Sequence, residues 1–227
     1  MSLHFDAREL PAQDLPNFES SPEASRIKVQ AATSVGFGAL SCGALLAMYG
    51  SSKAGSLSSA PINSNWRYRD TLKMCAVGSL GCETAAWVLE KFGVRVGNSG
   101  TEEIKNMIES RPNLAAVLVV GVTPVFEEAI NRLLPSAIAD RVMPSKRNSN
   151  RWPLGIASSL VFAAMHGFEN NSGRKINPAP LAVAGLSAWY IQRQGGYKHA
   201  VIDHALNNAF FIYVYMTGHR SPNFESK

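Results

Sequence analysis

Residues Asn113 to Asp140 read NLAAVLVVGVTPVFEEAINRLLPSAIAD. The stretch begins as an apolar helix that can cross a bilayer, yet it carries Glu127, Glu128 and Arg132. On insertion scales each charge at such a depth costs about 2.5–3.5 kcal/mol. A chain that keeps three of them needs partners for them. Two later apolar stretches supply candidates: one carries His166, the other His204 and Asn208. The expectation is that these groups converge inside a helical bundle.

Helical spacing sorts the charges. Residues four apart share a helix face, so Glu128 and Arg132 can pair and reduce each other's desolvation cost. Glu127 points about 100° away and has no partner on its own helix, which suits it to act as a general base. Pro124, three residues earlier, removes a backbone donor and breaks the helix locally. Such breaks are tolerated at depth only where protein or water satisfies the freed groups. The bland alternative places both glutamates at a solvated helix end.

His166 follows Phe162 by four, and His204 precedes Asn208 by four. A lone histidine in an apolar helix is more often a satisfied core residue than a catalyst. His204 and Asn208 are hydrogen-bond donors of the kind an oxyanion site uses, or of the kind that joins membrane helices. Taken together, convergence costs less than separate burial, because each group then relieves the desolvation of another. A converged glutamate and histidine can polarise one water for attack on a carbonyl.

These residues carry a resemblance. Glu127-Glu128-x-x-x-Arg132, Phe162-x-x-x-His166 and His204-x-x-x-Asn208, in that order on apolar helices, resemble the CAAX protease and bacteriocin-processing family. That family includes the type II CAAX prenyl endopeptidases and the Abi proteins. The resemblance covers roughly residues 113–217. It implies a multi-pass membrane peptidase in which Glu127 and His166 activate water and His204 and Asn208 form the oxyanion hole. Glu128 and Arg132 take the supporting positions. It implies no metal and no other cofactor. A zinc site on Glu127, His166 and His204 is the second choice, since it would leave Asn208 without a role.

The rest of the chain is consistent with that frame but less specific. Its 227 residues suit one bundle, and its formal charge is +5. No lysine-rich block and no nucleic-acid motif is present, so a nucleic-acid partner is not expected. The mean hydropathy of −0.04 is low for a polytopic membrane protein. Polar tails and candidate spans rich in Ala and Gly account for part of this. Cys42, Cys75 and Cys82 form no CxxC pair and read as buried free thiols.

In order, residues 1–30 read as an exposed, disordered tail without a cleavable signal. Residues 31–50 hold no charge over twenty positions and form the cleanest span. Residues 71–90 form a weaker span with Glu83 inside. Thr101-Glu-Glu-Ile starts a short amphipathic helix, capped by Thr101 or Gly100. After the central helix, a basic connection at 140–151 leads to apolar helices at 152–168, 178–192 and 199–217. His199 and Asp203, four apart, are candidates to pair at the membrane edge. A polar tail follows from 218. The expected architecture is all-α: a multi-pass membrane bundle of about six spans over 31–217, with its motif-bearing core at 113–217. Its expected partners are the lipid bilayer and a protein or peptide substrate, lipidated or not.

Two other readings stand beside an intramembrane endopeptidase. One is a non-proteolytic membrane scaffold or immunity protein that keeps the polar groups for packing. The other is a soluble helical bundle.

Overall fold

The computed structural model describes residues 22–51, 61–94, 101–143, 149–168 and 179–219. Among the described residues every regular element is helical. Seven helices follow in order: α1 (Pro22–Ser51), α2 (Tyr68–Lys91), α3 (Thr101–Ser110), α4 (Pro112–Val142), α5 (Trp152–Phe168), α6 (Ala179–Gly195) and α7 (Tyr197–His219). The expected spans thus appear as helices, with α1 extending ahead of the uncharged run and α4 running on to Val142. The short helix expected before the central one is α3. Of the tails expected at 1–30 and 218–227, residues 22–30 and 218–219 are instead helical, as the first turns of α1 and the end of α7; the rest of both tails, the expected caps at Gly100 and the Thr101 side chain, and the loop at 169–178 lie outside the described residues.

By length and composition, two helices can cross a membrane: α1 over Ala24–Met48 and α4 over Pro112–Val142. The apolar part of α5, Trp152–His166, is shorter. Helix α2 falls short of that standard because it carries Arg69, Asp70, Lys73, Glu83 and Glu90, and α7 carries Asp203 and His204.

Small residues set how closely the helices approach. A Cβ on Gly38 of α1 would stand 2.6 Å from the Ala116 carbonyl oxygen and 2.7 Å from Val120 Cβ of α4. Gly121 of α4 has the same relation to Ser41, at 2.8 Å. On the other side, Gly78 of α2 lies against Ser187 of α6, and Gly155 of α5 against the Trp189 ring of α6. This is the packing mode of helices that gain little from hydrophobic exclusion and depend on close backbone contact. Helix α7 runs through the middle and touches α1, α2, α4 and α6. Its Tyr197, Val201, Ala205, Phe211, Ile212 and Met216 join Ile108, Ala116 and Val120 in the main core.

The connection between α6 and α7 is a single residue, Gly196, with φ +91°. That left-handed conformation favours glycine. It ends α6 with a hydrogen bond from Gly196 N to the Gln192 carbonyl, so α7 starts at once and lies beside α4.

Candidate active site

Helix α4 is not wound uniformly. It is α-helical over Pro112–Ala116, opens to π turns over Val117–Val122, and tightens over Thr123–Glu128. It opens again over Ala129–Leu133 and closes over Leu134–Val142. Each π stretch ends just before a proline, Pro124 or Pro135. The reason is local. Thr123 N–H reaches back five residues to the Leu118 carbonyl. The Val119 carbonyl would next look to residue 124, and Pro124 has no N–H to give. Asn208 of α7 takes its place, donating from Nδ2 to the Val119 oxygen at 2.8 Å.

The second break repeats the pattern. Leu134 N–H reaches the Ala129 carbonyl. The Asn131 carbonyl, four residues before Pro135, instead accepts the Ser158 hydroxyl of α5. Asn131 Nδ2 in turn donates to the Glu127 carbonyl at 3.0 Å, and Tyr197 donates its hydroxyl to the Val125 carbonyl at 2.5 Å. The turn bearing the two glutamates is therefore fixed from α5 and α7 as well as from within. π-turns of this kind are frequent at functional sites.

On this turn the two glutamates have different surroundings. Glu128 is fully buried, and its Oε1 accepts from Arg132 Nη1 at 2.7 Å. The same oxygen lies 2.9 Å from His204 Nδ1. Arg132, also buried, sets its guanidinium 4.8 Å from the centre of the Phe162 ring. Phe162 packs its other contacts on the imidazoles of His166 and His204, with centroids 4.4 Å and 6.1 Å away. The aromatic ring is thus a shared floor for the guanidinium and both histidines.

Glu127 is 28 % exposed in its side chain. Its Oε2 lies 3.6 Å from His204 Nε2 and 4.0 Å from His166 Nε2, and it has no hydrogen-bond partner among the described residues. The histidine tautomers follow from their other contacts. His166 Nδ1 sits 2.8 Å from the Phe162 carbonyl. A carbonyl only accepts, so Nδ1 carries the hydrogen and a neutral His166 presents a bare Nε2 toward Glu127. His204 Nδ1 likewise donates to Glu128 Oε1, the oxygen that also accepts from Arg132 Nη1. His204 can therefore donate from Nε2 only as the imidazolium, and the Glu128 carboxylate supports that charge.

Of the six residues singled out in the sequence, Glu127, Glu128, Arg132, His166 and His204 come from three helices onto one patch, while Asn208, one turn beyond His204 on α7, is held by one amide hydrogen to the Val119 carbonyl. Glu83, inside the weaker span, is exposed on α2. His199 turns to Thr71, at 2.7 Å, rather than to Asp203. All three cysteines are free thiols. Among the described residues no three His, Cys, Asp or Glu side chains stand in an arrangement that could hold a metal ion.

Sequence spacing did not single out Asn131, Ser158 and Tyr197. Pro135 was the available signal: a second proline in the same helix frees a second carbonyl, which must find a donor from elsewhere.

Residues 109–210 match the family model described as Type II CAAX prenyl endopeptidase Rce1-like, and that range contains all six residues. No curated protein and no solved structure matches the chain.

Proposed function

We propose, from the match of residues 109–210 to the Rce1-like type II CAAX prenyl endopeptidase model, that Glu127 is the general base of a membrane-embedded peptide-bond hydrolysis. The observation that carries this reading is the Glu127 Oε2 atom. It is buried, has no hydrogen bond within the described chain, and faces the Nε2 atoms of two histidines.

The 4.0 Å between Glu127 Oε2 and His166 Nε2 suits one bridging water at about 2.8 Å from each. Both atoms are acceptors toward that water, so its two hydrogens have a place to go. As the water oxygen attacks the substrate carbonyl, one proton passes to Glu127. The carbonyl π electrons move onto oxygen, and the resulting oxyanion needs donors. His204, as imidazolium on its Glu128 support, offers Nε2–H, and Asn208 offers its second amide hydrogen. Collapse of the intermediate breaks the C–N bond, and the proton on Glu127 passes to the leaving amine. The products are a carboxylic acid and an amine, and transfer of the acid's proton to the amine leaves them as carboxylate and ammonium. Atoms and charge balance without an added reagent.

The membrane setting is supported by the outward faces of the bundle. Phe37, Leu40 and Met48 of α1, and Phe126, Ile130, Leu134, Ile138 and Val142 of α4, are exposed large apolar side chains. Such continuous apolar surface suits contact with lipid tails. On this reading the bundle is multi-pass and its substrate is a protein or peptide presented at the bilayer, with CAAX-type and leader-type C–N bonds both within reach of the chemistry.

The test is cleavage of a panel of CAAX and leader peptides by purified protein in detergent or vesicles. Wild type cleaves at least one of them, while Glu127→Gln and His166→Ala retain the fold and lose cleavage. Undiminished cleavage by Glu127→Gln would overturn the assignment. If no peptide is cleaved and the same variants instead lose binding to a membrane partner, the scaffold reading replaces it.

A further inference from the structure

Helix α7 bears a second polar stripe that the hydrolytic site does not use. His199, Asp203 and Asn207 are spaced by four, and on α2 so are Thr71, Cys75 and Ser79. The two stripes meet rung by rung with one constant offset. Thr71 Oγ1 lies 2.7 Å from His199 Nδ1, and Ser79 donates to Asn207 Oδ1 at 2.8 Å. The middle rung joins Cys75 to Asp203, and the Cys75 thiol also lies against Ser79 and Asn207. The side chains of Ser79, Asp203 and Asn207 are thereby gathered around one sulfur atom.

Three of these residues could be explained as interhelix hydrogen bonding. Asp203 is the exception. It is 4 % exposed, it is a carboxyl rather than a neutral group, and its Oδ1 meets no donor among the described residues. An ionisable group in such a place marks a functional site by default. The charges nearest to it do not neutralise it. Across α7 stand the carboxylates Glu127 and Glu128, and the one guanidinium there, Arg132, already pairs with Glu128. Around Asp203, three carboxyl groups thus face Arg132 and the His204 imidazolium, and both of these are already engaged by Glu128.

We infer that the α2/α7 ladder is a binding site for one small monovalent cation of the sodium class, held by the Asp203 carboxylate with the Ser79 hydroxyl and the Asn207 carboxamide oxygen. The donor set fits. All three are hard oxygen ligands. Ser79 keeps its lone pairs while donating its hydrogen, and Asn207 Oδ1 keeps a second lone pair. Asn207 Nδ2 donates to the Asp203 main-chain carbonyl at 2.9 Å, which turns its oxygen toward Ser79. One carboxylate balances a single positive charge, whereas calcium and magnesium sites gather more oxygens or retain waters. The Cys75 thiol is a neighbour to these oxygens rather than a ligand, since soft sulfur suits soft metals. At the Thr71–His199 end, Trp66 Nε1 donates to the buried Thr71 and the exposed Tyr68 ring lies 4.7 Å from His199.

The test needs no substrate, so it stands or falls apart from the hydrolytic reading. Thermal unfolding of the full chain in detergent is followed in NaCl, KCl and choline chloride at equal ionic strength. The expected result is a saturable rise in Tm with Na+, by roughly 5–10 °C at a hundredfold excess over half-saturation, with a smaller rise in K+. Asp203→Asn abolishes the Na+ dependence. Ser79→Ala, which removes one ligand and leaves the carboxylate, raises the half-saturating Na+ concentration by about tenfold, and it decides the matter if Asp203→Asn does not fold. Equal Tm values for wild type in NaCl and choline chloride overturn the site. So does a stability that follows pH but not Na+, which would mean that Asp203 carries a proton instead.

Discussion

Helix α7 has two polar faces at the same depth, and they handle burial differently. Toward α4 it presents His204 to the Glu128–Arg132 pair, joined at 2.7 Å with His204 Nδ1 at 2.9 Å from the same oxygen, and Asn208 to the Val119 carbonyl. Toward α2 it presents His199, Asp203 and Asn207 to uncharged Thr71, Cys75 and Ser79. The first face concentrates charge that is strongly paired except at Glu127. The second disperses polarity into neutral hydrogen bonds and leaves one carboxyl oxygen without a donor. Charged pairs at depth are costly to break and modest in net worth, while neutral interhelix bonds are worth little either way. A site that must hold reacting groups in place gains from the first arrangement.

The contrast can be broken in several places. The largest effect is expected at Glu127, whose Oε2 has no hydrogen bond among the described residues and faces two histidine nitrogens. Glu127→Gln keeps its shape and loses the base, so hydrolysis falls about 10²–10⁴-fold, with Tm within about 2 °C of wild type. A matching fall in Tm would reclassify Glu127 as structural. Next is Arg132→Met, which strands the buried Glu128 carboxylate. Unfolding in detergent should show a loss of about 3–5 kcal/mol. Adding Glu128→Gln should restore part of it, because the stranded charge is gone; strict additivity of the two would mean the pair is not coupled.

Asn208→Ala removes the donor to the Val119 carbonyl and should cost about 1–3 kcal/mol. If Asn208 also serves the oxyanion, kcat falls well beyond what the remaining folded fraction explains. Gly38→Ala places a methyl group 2.6 Å from the Ala116 carbonyl oxygen, and the separation of α1 from α4 should lower stability by about 1–3 kcal/mol. The smallest effect belongs to the other face of α7. Thr71→Val deletes one neutral rung and should cost about 0.6 kcal/mol. A cost as large as that of Arg132→Met would erase the distinction between the two faces.

Much of the site was legible because the relevant contacts are local in sequence. The pairing of Glu128 with Arg132 follows from a spacing of four on any helix, and so does the shared face of His204 and Asn208. Phe162 and His166 met for the same reason. The carbonyl freed near Pro124 was also readable, since proline lacks a donor in every context. What spacing could not supply was the identity of the donor. Asn208 comes from 89 positions away to the Val119 carbonyl, Tyr197 from 72 to that of Val125, and Ser158 from 27 to that of Asn131. His199 was a plausible partner for Asp203 by spacing alone; Thr71, 128 positions distant, took it instead.

By itself, then, the sequence determined which groups had to be satisfied: three charges in an apolar helix, two prolines that free carbonyls, and two histidines on apolar helices. Those demands are set by covalent structure and by the cost of burying polarity, and no packing arrangement removes them. Only the tertiary structure decided which group answers which demand. It shared the Glu128 oxygen between Arg132 and His204, and it left Glu127 Oε2 between two histidine nitrogens. It also lined α2 against α7 so that Asp203 met a thiol. The reason is that hydrogen bonds act over about 3 Å, and only close helix packing, set by glycines such as Gly38, Gly78 and Gly155, brings distant side chains within that range.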